Sequence, residues 1–208
     1  MIMPELEIIG APQSTFVRTT RMALEEKGVA YTLTPARPHS SEVDAVHPFG
    51  RIPVMRHGDF TLCESRAIIG YVDRVFGGPK LIPDEPKRAA AIEQWSSVVA
   101  NCVFPAVIPY FAEYFFPAGG TSNRAAIEAQ LPHVRNAIGV LGQRAKEGFM
   151  AGEDFTLADM YALPVLVYLN RLPESRDFIG ETQALDAYLA KNAERPSFKN
   201  TEPPPLAK

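Results

Sequence analysis

The sequence predicts an α/β unit followed by an all-α one, and three observations carry that prediction. Strand-like apolar runs occur only within the first 63 of 208 residues. The stretch GGPKLIPDEP, which begins at Gly77, concentrates Gly and Pro as a linker does. Beyond it the apolar spacing is helical throughout. The boundaries read as an α/β domain over 1–78, a linker over 79–86 and a helical domain over 87–208, with a proline-rich tail.

Each element follows from its pattern. LEII (Leu6–Ile9) is a short buried strand. Phe16 to Lys27 carries apolar residues at helical spacing and stops at Gly28, a natural C-terminal glycine. VAYTLT (Val29 to Thr34) reads as a second strand, and the long loop PARPHSSEVDAVHPFG follows it. IPVMR and FTLCE flank Gly58-Asp59, a hairpin signal. Ser65 then opens a helix whose apolar stripe is Ala67, Ile68, Tyr71, Val72 and Val75. The order is βαβ, then ββα.

In the second half, helices are expected over 87–116, 123–147, 156–171 and 182–192, with Pro105, Pro109, Pro132 and Pro164 bending or splitting them. FTLADMYALP holds a capping box, Thr156 with Asp159 three residues on, so Asp159 reads as structural. The tail RPSFKNTEPPPLAK reads as disordered.

Composition narrows function. Apolar residues make up 46% and charged residues 22%, ordinary values for a globular protein. The net charge is −3 and the basic residues form no stripe, which argues against nucleic acid as a partner. No apolar run reads as a membrane span and the N-terminal residues do not read as a leader, so a cytoplasmic location is expected. Cys63 and Cys102 lie far apart and neither has a CxxC partner, so no zinc site or dithiol centre is built locally and no metal is expected. A small molecule is the better partner.

The segments GAPQSTFVRTTRMALEEKG, HPFGRIPVM, CESRAIIGYV and FTLADMYALP, in this order and followed by an all-helical half, resemble a glutathione S-transferase. Ser14 four residues before Arg18 is similar to the serine-type classes, phi-like and bacterial. The resemblance implies a thioredoxin-like domain joined to a helical one, working as a cytoplasmic homodimer in detoxification. Glutathione would be its cosubstrate and a small hydrophobic electrophile its other substrate.

It also implies roles. Ser14 would hold glutathione as the thiolate, with Thr15 one residue away as the fallback; read from the residues alone, both hydroxyls are helix caps. Ile52-Pro53 would be a cis peptide whose Ile52 backbone pairs with the cysteinyl residue. Glu64 and Ser65 would grip the γ-glutamyl end, and Arg66 is a glutathione ligand or a subunit contact. His39, or Ser40 in its place, and Arg51 are candidates for the glycyl carboxylate; Arg51 stands where phi members have Gln. Tyr110, Phe111, Tyr114 and Phe115 wall the electrophile pocket or pack as core. A dehalogenase, isomerase or peroxidase of the same fold would share the glutathione site. A noncatalytic assembly protein would keep the fold alone.

Overall fold

The structure, a computed structural model, describes residues 5–205. It divides into two compact units, one formed by 1–82 together with 194–208 and the other by 83–193.

The first unit is built on four strands, β1 (Leu6–Ile9), β2 (Thr32–Thr34), β3 (Val54–His57) and β4 (Phe60–Cys63). Their order is β2-β1-β3-β4, with β2 parallel to β1 and the other pairs antiparallel. Helix α1 (Thr15–Lys27) supplies the crossover that a parallel pair needs, and α3 (Ser65–Val75) follows the hairpin. Side chains alternate across the sheet, so Leu6, Ile8 and Met55 meet Val17 and Leu24 of α1 and Ile68 and Val72 of α3. Ile9 and Val54 face the other way, onto Val43.

Two details differ from the sequence reading. β2 begins at Thr32 because the end of α1 claims the residues before it: Gly28 adopts φ 68°, its N–H reaches the Glu25 carbonyl, and Val29 N–H reaches the Leu24 carbonyl. Inside the loop after β2, one helical turn forms, α2 (Ser41–Asp44), which buries Val43.

The C-terminal segment is not disordered over its described residues. A short helix, α10 (Pro196–Asn200), lies on α1 and belongs to the first unit. Arg195 makes a two-pronged bond to Glu26, through Nε and Nη2 at 2.9 Å each. Arg18 is buried, with its Nη2 donating to the Phe198 carbonyl at 2.9 Å and its guanidinium 4.1 Å above the Phe198 ring. Desolvation opposes the charge on Glu26, but bonds from Arg195 and Ser197 outweigh it and hold its carboxyl below the ordinary value.

The second unit is helical: α4 (Pro86–Val98), a π-helical stretch at 99–103, α5 (Phe104–Phe115), α6 (Arg124–Ala145), α7 (Leu157–Arg171), α8 (Pro173–Gly180) and α9 (Gln183–Ala193). The widened turn comes just before Pro105, which has no N–H for the carbonyl four residues back. α8, absent from the sequence reading, starts where Leu172 ends α7 and Pro173 takes the first helical position. α7 is the most buried helix, and Asp159 lies in its first turn. The Asp159 carboxylate accepts the Thr156 and Met150 N–H groups and the Tyr188 hydroxyl, while burial pushes its pKa up.

One sequence expectation is corrected here. The run Pro86–Phe115 is a continuous helical stretch of 30 residues, long and apolar enough by length and composition to cross a membrane. In this unit its first part, α4, packs against α7 and its last part, α5, against α6, with 28% of its most apolar window buried.

Candidate active site

Sheet register decides which loops meet. Thr34, Ile9, Val54 and Cys63 stand side by side, one from each strand. The chain leaves this row after Thr34 toward His39 and Ser40, after Ile9 toward Ser14, and after Cys63 into Glu64 and Ser65. It arrives at Val54 through Arg51, Ile52 and Pro53. Every candidate glutathione residue named from the sequence therefore emerges at one end of one sheet.

At the β1–α1 corner, Ser14 is half-buried and occupies the N-cap of α1 in an extended conformation. Its Oγ accepts the Val17 N–H at 3.4 Å, a long bond. That bond uses an oxygen lone pair and leaves the hydroxyl proton to donate elsewhere, so capping and thiolate stabilisation are compatible in this side chain. Thr15 is the first residue of the helix and is buried.

Ile52-Pro53 is a cis peptide, immediately before β3. Its neighbour Arg51 is exposed. Gly50 adopts φ 60°, and a Cβ there would stand 2.1 Å from His39 Nδ1, so only glycine lets the imidazole lie against this turn. His39 itself has φ 60°, donates its N–H to the Gly50 carbonyl at 2.9 Å and sets Nδ1 3.5 Å from Asp44 Oδ1. Ser40 precedes α2 as its N-cap residue.

At the β4–α3 corner, Glu64 has φ 69° and ψ 114°, a region that non-glycine residues rarely enter and that costs about 1–3 kcal/mol. Its side chain is 66% exposed and makes no capping bond to α3. Glu64 therefore leaves the positive end of the α3 dipole without a cap from its own side chain, at a corner that also carries the buried Ser65 and Arg66.

His47 was not singled out from the sequence, although it begins HPFGRIPVM. Its ring is 3% exposed. Nδ1 accepts the Phe49 N–H at 3.0 Å and Nε2 lies 3.3 Å from Glu64 Oε1.

In the second unit the aromatic run of α5 splits into two pairs, each at the i, i+4 spacing of one helical face. Tyr110 and Tyr114 have ring centroids 5.2 Å apart and both donate hydroxyls to Glu174 Oε2, at 2.9 and 2.7 Å. Phe111 and Phe115 pack with Tyr168. Tyr110 and Phe111 are buried in the core of this unit; Tyr114 and Phe115 keep partial exposure. Burial of the Glu174 carboxyl opposes its ionisation, but the two tyrosines, its own N–H and the Arg124 guanidinium outweigh that and bring its pKa to about 2. Desolvation and the adjacent carboxylate push the Tyr114 hydroxyl up.

Residues 8–80 match the family model described as the glutathione S-transferase N-terminal domain, and residues 124–191 match that of the C-terminal domain. Glutathione S-transferase 4 of Zea mays is 31% identical over 179 residues, spanning 80% of this chain and 78% of its own. The chain belongs to the glutathione S-transferase family. Among solved structures, glutathione transferase F7 of Populus trichocarpa is 28% identical with a TM-score of 0.84, covering 94% of this chain and 97% of its own. A Methylobacillus flagellatus glutathione S-transferase, solved with glutathione bound, is 26% identical with a TM-score of 0.82, covering 96% of this chain and all of its own. Within the family fold of this transferase, the row Thr34–Ile9–Val54–Cys63 is the frame on which the candidate residues sit.

Proposed function

We propose that this glutathione transferase uses Ser14 to hold glutathione as its thiolate and adds the sulfur to small hydrophobic electrophiles. The observation that carries the reading is the shared row of strand ends, from which Ser14, Ile52, Glu64 and Ser65 all issue.

The roles follow from chemistry. Ile52 N–H and C=O stand at the entrance to β3, suited to pair with an extended cysteinyl backbone as an added strand does. The γ-glutamyl carboxylate suits the N-terminus of α3 with the Ser65 hydroxyl, and its ammonium suits Glu64. His39, Ser40 and Arg51 lie on the loops that would meet the glycyl end, and Arg66 extends the polar rim of the α3 corner.

A free thiol of pKa about 8.5 is only about 3% thiolate at pH 7. A hydroxyl donating to the anion contributes about 1.5–3 kcal/mol, and the α1 dipole about 0.3–1 kcal/mol. Together these reach a drop of about two units, or 2.7 kcal/mol. The thiolate gain is at most about 30-fold, while nucleophilicity falls about 6- to 10-fold. Activation therefore yields only a few-fold, and most of the acceleration comes from holding sulfur and electrophile together. Of the four aromatic candidates, Tyr114 and Phe115 keep surface to offer an apolar substrate. The same reading places the enzyme in the cytoplasm as a homodimer that works in detoxification.

The test is an ultraviolet titration of bound glutathione in wild type and Ser14→Ala. A bound-thiol pKa below about 8.5 that returns toward it in the variant supports the role of Ser14. An unchanged pKa in Ser14→Ala, with the loss appearing in Thr15→Ala, transfers the role by one residue. Binding with no pKa shift in wild type refutes thiolate stabilisation.

A further inference from the structure

The loop between α2 and β3 carries a buried imidazole, one nitrogen of which accepts a hydrogen bond while the other faces a carboxylate. Phe49 N–H donates to His47 Nδ1 at 3.0 Å, so Nδ1 holds no proton in this arrangement. The ring proton then resides on Nε2, because one nitrogen's hydrogen bond fixes the tautomer of the other. Nε2 faces Glu64 Oε1 at 3.3 Å. The contact is thus a neutral N–H presented to a carboxylate.

The two side chains differ sharply in freedom. The His47 ring is 3% exposed and fixed by its loop, whereas the Glu64 side chain is 66% exposed. The backbone of Glu64 is held at φ 69°, which aims the side chain but leaves its torsions open. His47 is the fixed neighbour that lies beside one oxygen of that carboxylate.

We infer that His47 is a positioning residue for glutathione: its Nε2–H anchors Glu64 Oε1 so that the carboxylate meets the γ-glutamyl ammonium in one orientation. This rests on the reading of Glu64 as the partner of that ammonium. His47 touches neither the thiol nor the electrophile.

Two substitutions separate anchoring from loop support. His47→Asn keeps an acceptor near Nδ1 for Phe49 N–H but falls short of Glu64. His47→Gln carries an N–H near the Nε2 position and gives up the loop acceptor. Calorimetric Kd values are measured for glutathione and for glutaryl-cysteinylglycine, which lacks the amino group. His47→Asn should weaken glutathione about three- to tenfold, the range of one ordinary hydrogen bond. It should leave the glutaryl analogue unchanged, and His47→Gln should restore most of the loss. Equal losses for both ligands, or a worse defect in His47→Gln, would show loop support and overturn the inference. Glu64→Ala tells the two levels apart. If it weakens glutathione but not the analogue while His47→Asn does nothing, the inference fails and the reading of Glu64 stands; if it leaves glutathione binding intact, that reading fails as well.

Discussion

Replacing Glu174 by Gln should remove an acid-sensitive part of the stability of the helical unit. The carboxylate accepts two tyrosine hydroxyls on Oε2 and pairs with Arg124 through Oε1. Its folded pKa of about 2 lies below its ordinary 4.5. A depressed carboxylate pKa means that the ionised group stabilises the fold above about pH 4.5, and that this contribution is lost as pH falls toward 2. A shift of that size corresponds to at most about 3.4 kcal/mol. Arg124 is 63% exposed and water reaches the rim of the cluster, so screening reduces the contribution to about 1–2 kcal/mol. About half of it should be gone by pH 3. Trp95 is the single tryptophan and lies in α4, so its fluorescence in urea reports this unit alone. Gln keeps an acceptor for the tyrosines but not the charge, and all other carboxylates cancel in the comparison. Wild type should therefore lose about 1 kcal/mol more than Glu174→Gln between pH 6 and pH 3. Parallel pH profiles for the two proteins would refute the argument.

Two further outcomes follow from the first unit. Glu64→Gly should be more thermostable than Glu64→Ala by about 1 kcal/mol, because only glycine adopts φ 69° without cost; equal melting temperatures would show that the corner stores no strain. Glu26→Ala should cost about 1–2 kcal/mol, between the values for exposed and buried pairs, and expose α10 to limited proteolysis. An unchanged cleavage rate of the C-terminal segment would show that this pair does not hold it.

The ordering of strands and helices in the first unit was legible because β1, the hairpin and α3 each carry a local signature: a short apolar run, Gly58-Asp59 between alternating residues, and the stripe from Ala67 to Val75. The single turn of α2 was not, because four residues hold too little periodicity to read. The fate of the tail was hidden for a different reason. RPSFKNTEPPPLAK looks solvent-borne in isolation, and its order comes from Arg18, Arg21 and Glu26, which lie more than 160 positions away. At the site, Ser14 and Glu64 could be proposed because hydroxyl and acid stand at strand-to-helix corners. The tie between His47 and Glu64 depends on β3 and β4 carrying two loops to the same end of the sheet, which no spacing in the chain encodes. In the aromatic run, the pairs Tyr110/Tyr114 and Phe111/Phe115 were visible at i, i+4 spacing, but which pair meets Glu174 is set by α8, a helix that Pro173 begins without an apolar stripe of its own.

The return of the C-terminal segment to α1 also bears on how the chain is made. A ribosome delivers residues in order, and the sheet with α1 and α3 can assemble once about 82 of them have emerged. The partners of Arg18, Arg21 and Glu26 arrive only after the whole helical unit, 83–193, has been synthesised. Until then the bonds that join Arg18, Arg21 and Glu26 to the C-terminal segment are unmade, and so is the bond from the amide of Gln13, the neighbour of Ser14, to the Pro204 carbonyl. The helix that bears Ser14 is thus among the first elements made and among the last to be finished, and the helical unit must complete its own synthesis before that helix is secured.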